Sequence, residues 1–266
     1  MRLIVGIVLA LLVLAVVCAA AWLKPTTVGH PAASGPATLL AQDTDVATVD
    51  GIAVPARELQ IYLDRDRAAT IAHYQAENHD AGSAGFWTTR YGDSTPSEHL
   101  IDAALADIAR ATVQRRWAVT YGIAESATYD SFLTQLRDEN TRRRDAVAEK
   151  KPIYGPVQYT EANYFQYLQD QYSFDLRDAM RTNGTINIDT GSITSFLRAR
   201  PDIAAFVRLH AGQAEAEANK MIVMLYTEDR YSALLAQAAS AASVARSAAL
   251  EFVARGCLES GRCITP

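Results

Sequence analysis

The chain opens with an uninterrupted apolar segment. Residues 3–17 contain only Leu, Ile, Val, Ala and Gly, and Arg2 precedes them. An apolar run behind a positive charge is typical of a signal peptide or a membrane anchor. We therefore expect the rest of the chain to fold outside the cytoplasm, where thiols meet oxidants and ATP is not supplied.

Two fates are open for this leader, residues 1–24. The small residues 19–21 favour cleavage by signal peptidase. Retention is favoured because the apolar run extends to Leu23, and about 20 residues at 1.5 Å each cross a bilayer core. We expect a single-pass anchor contacting the membrane through residues 3–23, or a secreted or periplasmic protein if the leader is cleaved. Cys18 is interpreted as an apolar residue of this segment rather than a lipidation site.

Composition divides the remainder of the 266 residues. Residues 25–44 are rich in Pro, Ala, Gly and Ser and are predicted to be a flexible linker. Residues 45–250 are long enough for one domain, and 49% of the chain is apolar, so a core can form. Residues 251–266 are predicted to be a C-terminal tail. The 25 Lys and Arg are interspersed with 30 Asp and Glu, a pattern that argues against a nucleic-acid partner.

Local patterns predict a mainly α fold with one short two-stranded β element. Residues 46–54 read as strand with a tight turn at Asp50 and Gly51, because an Asp-Gly pair tolerates the positive φ of such turns. Elsewhere apolar residues recur at helical spacing. The predicted helices cover residues 55–78, 95–121, 126–151, 160–180, 189–200, a segment from 201, and 220–242, and a last strand is predicted near residues 243–246. Residues 79–94 form a loop with tucked aromatics, and residues 137–151 are charged and expected to project into solvent.

Cys257 and Cys263 are the only cysteines after the leader. In an oxidising compartment we expect a local disulfide, with free thiols as the alternative. A metal site would need more ligands than the tail offers. Because the closed loop is short, its stabilisation should be modest, below the roughly 3 kcal/mol that the chain-entropy model gives a 15-residue loop.

The sequence contains no recognisable catalytic motif. There is no Gly-x-Ser-x-Gly elbow, phosphate-binding loop or Cys-x-x-Cys, and the HExxH spacing is absent. His73 and His79, near Glu77, are conceivable metal ligands but are better explained as surface polar residues. We therefore assign no catalytic residue, cofactor or metal.

A group of aromatic residues follows the charged helix and is a candidate polypeptide-binding face. Tyrosine offers apolar area with a polar tip, which suits peptide recognition. The alternative interpretation is that these side chains pack the helix against its neighbour. The candidates are Tyr154, Tyr159, Tyr164, Phe165 and Tyr167.

Two stretches resemble the SurA/PrsA-type, parvulin-associated chaperone module. Residues 46–59 (VATVDGIAVPAREL) are similar to the strand and first helix of that module, and residues 129–165 look like a branch lacking the prolyl isomerase domain. The resemblance covers residues 46–180 clearly and 186–244 weakly. It implies a helical lobe beside which an early and a late strand meet, and ATP-independent binding of unfolded or secreted polypeptides.

Three alternative functions are compatible with the sequence and with this resemblance. The first is an extracytoplasmic chaperone or foldase-like protein without a catalytic domain, since residues 180–222 are too few for a parvulin domain. The second is a membrane-anchored accessory or scaffold protein that docks one envelope partner. The third is a peptidyl-prolyl isomerase, a label that would rest on family naming alone because no catalytic residue carries over.

Overall fold

Eight α-helices and a small sheet make up the part of the chain that the computed structural model describes, residues 39–210, 215–254 and 257–265. The expected mainly helical class is confirmed. The elements are β1 (Asp45–Val49), β2 (Ile52–Pro55), α1 (Ala56–Ala76), α2 (Pro96–Thr120), α3 (Tyr129–Ala148), α4 (Glu161–Thr182), α5 (Thr190–Ala199), α6 (Pro201–His210), α7 (Glu215–Ala241), β3 (Val244–Arg246) and α8 (Ala248–Ala254), with short 3₁₀ turns at Phe86–Thr88 and Cys257–Ser260.

The sheet has three antiparallel strands in the order β2-β1-β3, so the expected two-stranded element was one strand short. Asp50 and Gly51, both at positive φ, form the predicted turn between β1 and β2. Two hydrogen bonds join the β1–β2 turn to the start of the third strand. The Asp50 backbone N–H donates to the Ser243 carbonyl, and the Asp50 carboxylate accepts from the Ser243 N–H. β3 coincides with the last strand that the sequence predicts near residues 243–246.

Local capping signals explain where several helices begin. The Thr95 hydroxyl accepts from the backbone N–H of Glu98, and the Glu98 carboxylate accepts from the Thr95 N–H, which completes a capping box at the start of α2. The Thr160 hydroxyl caps α4 by accepting from the Asn163 N–H, and the Asp189 carboxylate caps α5 by accepting from the Ser192 N–H. These starts agree with those predicted from the sequence.

The described residues form two apolar clusters, and α2 contributes its first part to one and its last part to the other. The first unites the sheet, α1, the first part of α2 and the C-terminal segment, with Leu59, Leu100 and Ile108 fully buried. The second joins the end of α2 to α4, α5 and α7 around Leu176 and Leu235. The members of both clusters are buried side chains, so an exposed apolar surface must be formed by other residues.

The loop between α1 and α2 belongs to the first cluster. Phe86 and Trp87 are buried in it, as expected, and Ser97 donates to the Trp87 carbonyl at 2.7 Å. Burying two aromatic side chains stabilises the loop by about 1.5–3 kcal/mol each. The segment is therefore part of the folded body and not a free loop.

A buried ion pair links α1 to α2. Arg115 Nη1 donates to Glu58 Oε1 at 2.7 Å, and both side chains are buried. The guanidinium also donates to the Ala127 carbonyl and to the Thr112 hydroxyl, each at 3.0 Å. Burial raises the pKa of the Glu58 carboxyl, and the facing charge of Arg115 lowers it only in part. The pair therefore fixes how α1, α2 and the loop before α3 sit together.

The C-terminal segment closes over α1. Cys257 and Cys263 are bonded to each other and buried, with their Cα atoms 4.9 Å apart. The Leu40 N–H donates to the Cys263 carbonyl and the Thr265 N–H donates to the Leu40 carbonyl, both at 2.9 Å. Residues 40–44, which composition assigns to the linker, are thus tied to the body by backbone hydrogen bonds, a correction to the predicted boundary.

Within the described ranges, no helix combines the length and the apolar character needed to cross a bilayer. The segment predicted to contact the membrane, residues 3–23, lies outside those ranges, as do Cys18 and most of the predicted linker.

Candidate functional site

The five aromatic candidates do not form one exposed face. Tyr154 is 89% exposed and Tyr167 is 48% exposed, whereas Tyr159 is partly buried. Tyr164 and Phe165 lie in the first apolar cluster. These two side chains therefore pack α4 against its neighbours, as the alternative interpretation expected, and are not available to a client. Around α4, at about 100° per residue, Tyr167 lies about 160° from Phe165 and about 60° from Tyr164, so Tyr167 stays half-exposed while Tyr164 and Phe165 pack in the cluster.

Three of these tyrosines nevertheless touch one another. The ring centroids of Tyr159, Tyr164 and Tyr167 lie 5.3–5.9 Å apart pairwise. Aromatic pairs at such distances contribute about 0.5–1.5 kcal/mol beyond burial. The cluster therefore holds the half-exposed Tyr167 ring in a defined orientation on the surface.

Arg143 fastens the segment that carries Tyr154 and Tyr159. Its guanidinium donates to the carbonyls of Tyr154 (2.8 Å) and Pro156 (2.7 Å) and lies 4.4 Å from the centroid of the Tyr159 ring. Glu139 accepts from Arg143 Nε at 2.7 Å. The charged half of α3 was expected to project freely into solvent; Arg143 corrects this, because its side chain is buried beneath residues 152–159.

Acid is expected to loosen this segment. Hydrogen bonds from Arg142 and then Arg143 hold the pKa of Glu139 below its ordinary value of 4.5. A carboxyl with a lowered pKa stabilises the folded state above the unfolded-state pKa, and this contribution is lost as pH falls through the folded-state pKa. Hydrogen-exchange protection of the Tyr159 amide, which donates to Asn140, should therefore hold from pH 8 to 5 and decline below 4.5.

The Glu139→Gln variant supplies the control for this pH effect. It should show Tyr159 protection reduced by no more than about 1 kcal/mol above pH 5, because Arg143 keeps its bonds to the Tyr154 and Pro156 carbonyls, and it should approach the unmodified chain in acid, where Glu139 is neutral. Protection in the unmodified chain that stays constant through acid pH would contradict this role of Glu139.

An open, largely apolar cleft lies between α4 and α7. Its volume is about 430 Å³. Phe174 on α4 is 65% exposed and Met224 on α7 is 60% exposed, although both are large apolar side chains. The lining residues are Phe174, Arg177, Asp178 and Arg181 of α4 and Lys220, Val223, Met224 and Thr227 of α7.

Three of the four charged residues that line the cleft are cations, Arg177, Arg181 and Lys220. Each cation is paired with a partly or well exposed acid: Arg177 with Glu228, Arg181 with Asp178 at 2.5 Å, and Lys220 with Glu217 at 2.9 Å. Two of the three acids, Glu217 and Glu228, are not among the lining residues. The cleft thus combines an apolar interior with three cations, two of which have acidic partners outside the lining.

Sequence reasoning missed this cleft because it counted Phe174 and Met224 as packing residues. A signal for Phe174 was present. At 100° per residue, Tyr167 and Phe174 fall about 20° apart on α4, opposite the face that carries the buried Tyr172 and Leu176. For Met224 we find no comparable signal, because α7 carries apolar residues around most of its circumference.

Other groups of polar and titratable side chains lie elsewhere in the described residues. A polar cleft of about 740 Å³ beside α5 and α7 includes Ser192, Ser195 and Asp229, with no histidine among its lining residues. His79 stacks on Tyr91 at 4.0 Å, and His73 lies 4.8 Å from His99, ring to ring. In residues 39–210, 215–254 and 257–265, no three His, Cys, Asp or Glu side chains are arranged to hold a metal ion.

The comparisons with known proteins found no relative of this chain. No protein-family model, no curated protein and no solved structure matches the chain. Inference about function must therefore start from the surfaces described above.

Proposed function

We propose that this chain is an extracytoplasmic, ATP-independent chaperone-like protein that holds unfolded or secreted polypeptides and has no prolyl isomerase domain of its own. The observation that carries the proposal is the open apolar cleft between α4 and α7, where Phe174 and Met224 remain largely exposed. The apolar leader and the resemblance to SurA/PrsA-type modules are consistent with it.

The exposed side chains suit binding without strict sequence preference. Burying a Phe or Met side chain against a partner contributes about 1.5–3 kcal/mol. Methionine is flexible and polarisable, so it adapts to partners of different shape, and surfaces of this kind are typical of promiscuous binders. A protein that holds many different nonnative chains needs to bind them weakly and with little sequence preference.

The aromatic residues on α4 extend this surface along the helix. Tyr167 and Phe174 share its outer face and are separated by seven residues, which corresponds to about 10 Å along the axis. About three residues of extended chain cover the same distance. A client segment running along α4 can therefore contact the tyrosine cluster and the cleft at the same time.

The test is suppression of aggregation by the full chain in lipid nanodiscs, monitored by light scattering of a denatured client on dilution. We expect the Phe174→Ser/Met224→Ser variant to need about fivefold more protein for equal suppression, because about 1 kcal/mol of apolar contact is lost even if binding recovers part of it elsewhere. Leu209→Ser, which removes an exposed apolar side chain on α6 that does not line the cleft, is the matched control and should behave as the unmodified chain.

Two outcomes would overturn the proposal. One is that the unmodified chain fails to suppress aggregation at stoichiometric excess. The other is that the double variant and the Leu209→Ser control suppress aggregation equally well.

A second candidate is an accessory protein that docks one folded envelope partner. The favouring observation is Tyr154, which is 89% exposed while its carbonyl is fixed by Arg143. An exposed aromatic on an ordered backbone is typical of an interface anchor, since tyrosine is enriched at binding hot spots. Affinity capture with the full chain and with Tyr154→Ser distinguishes the candidates: one stoichiometric partner lost in the variant favours docking, whereas many weak clients retained by it favour the chaperone.

A further inference from the structure

We infer that the cleft between α4 and α7 selects client segments in which a large apolar side chain is flanked by carboxylates. This inference rests on the proposed function and adds the chemical class of the segment. The observation behind it is the combination of an apolar interior with three cationic lining residues and one acidic one, Asp178.

The interior is suited to one large apolar side chain and its neighbours. A volume of about 430 Å³ lies within the range of small-ligand pockets, which is roughly 300–1,000 Å³. Phe174, Val223 and Met224 supply the apolar contact from both helices. An aromatic or long aliphatic side chain would gain most here, because the contact area it buries is largest.

The positive charges stand on both helices. Arg177 and Arg181 are four residues apart on α4 and so lie one above the other, and Lys220 faces them from α7. A segment entering the cleft therefore passes between guanidinium groups and an ammonium group. Carboxylates beside the buried side chain would meet these donors, whereas lysines there would be repelled.

The cations can exchange their present partners at little cost. Arg181 and Asp178 are about half exposed or more, and Lys220 and Glu217 are mostly exposed. Exposed ion pairs of this kind contribute about 0–1 kcal/mol each, so a client carboxylate can replace the intramolecular one. The bidentate geometry of arginine favours such a replacement by a carboxylate.

The experiment measures binding of short fluorescent peptides to the full chain in nanodiscs by anisotropy. Three probes carry a single phenylalanine flanked by glutamates, the same phenylalanine flanked by lysines, and alanine flanked by glutamates. We expect the first probe to bind about tenfold more tightly than either of the others at low salt, corresponding to one or two exchanged ion pairs plus the apolar contact. Its advantage over the lysine probe should shrink as salt rises, because exposed charges are screened.

Variants connect this preference to the cleft. Arg177→Gln/Arg181→Gln should abolish the discrimination between the glutamate and lysine probes while the phenylalanine requirement stays. Arg198→Gln/Arg208→Gln removes two arginines that do not line the cleft, so it is the matched control and should keep the discrimination.

The outcomes separate this inference from the function it rests on. Equal binding of the glutamate and lysine probes, or a preference that survives Arg177→Gln/Arg181→Gln, would overturn the selection while aggregation suppression still supports a chaperone. Absence of binding to every probe, together with absence of suppression, would overturn both.

Discussion

Replacing Arg115 by Met is expected to destabilise the folded protein by about 3–5 kcal/mol, the largest effect that we predict for a single substitution. The cause is the buried carboxylate of Glu58, which faces the Arg115 guanidinium at 2.7 Å. Its second oxygen, Oε2, has no hydrogen-bond partner among the described residues, so removal of Arg115 leaves the whole charge uncompensated. The Ala127 carbonyl also loses its donor, which frees the loop before α3.

Urea denaturation of the full chain followed by circular dichroism measures this loss. The neighbouring residue supplies a matched control, because Arg116 is also an α2 arginine paired with an acid, Asp50, but at the surface. Arg116→Gln should change the free energy of unfolding by less than about 1 kcal/mol. Equal destabilisation by Arg115→Met and Arg116→Gln would contradict the importance that we give to burial.

The pH dependence identifies the isolated carboxylate as the cause. Burial raises the pKa of Glu58 above its ordinary 4.5, and in Arg115→Met the opposing charge is gone. A carboxyl whose folded-state pKa is raised favours the folded state below the unfolded-state pKa, and that benefit is lost as pH rises through the folded-state value. The deficit of the variant should therefore be larger at pH 7 than at pH 5.

Removing both partners should be milder than the sum of the single changes. In Glu58→Leu/Arg115→Met neither charge is left alone, and buried pairs replaced by apolar residues are often close to neutral. The Ala127 carbonyl still lacks its donor, which leaves a residual cost of about 1–3 kcal/mol. A double variant as unstable as the added single variants would show that the two side chains act independently.

Features of the fold that depend on neighbouring residues could be predicted from the sequence. Thr95 and Glu98 encode a helix start within four residues, and Asp50 with Gly51 encodes a turn within two. Features that join distant residues are not encoded by a local pattern. The pairing of β3 with β1 across nearly 200 residues was expected only from the family resemblance, and the contact of Arg115 with Glu58 across 57 residues was not expected. No local pattern marks which arginine will be buried.

The candidate site follows the same rule. Its aromatic residues on α4 were recognised as a group, but their distribution between core and surface depends on which helices pack against α4. Phe174 lies on the side of α4 opposite the buried Leu176, so its exposure could be predicted from the helical pattern. The exposure of Met224 depends on how α7 packs beside α4. A cleft between two helices is a property of their packing, so neither helix alone predicts it.

The Cys257→Ala/Cys263→Ala variant is expected to lose about 2 kcal/mol of stability, the second large effect. Chain entropy gives roughly this value for a closed loop of about seven residues. Alanine avoids placing a hydroxyl in the buried positions that both sulfurs occupy. Reduction of the unmodified chain by dithiothreitol should shift the urea midpoint in the same direction, and it should have no effect on the variant.

Loss of the disulfide should also affect backbone hydrogen bonds near Leu40, which is distant in sequence from both cysteines. The closed loop presents the Leu258 carbonyl to Arg67 at 2.8 Å and the Cys263 N–H to Gln60 at 3.0 Å, and the residues after it pair with Leu40. When the loop opens, the Thr265 and Leu40 amides should lose hydrogen-exchange protection before the Arg115 region does, because they depend on the tail for their partners. The disulfide would then secure the point at which the chain from the apolar leader enters the body. Unchanged protection of both amides in the variant would instead show that residues 263–265 are held by their backbone hydrogen bonds alone.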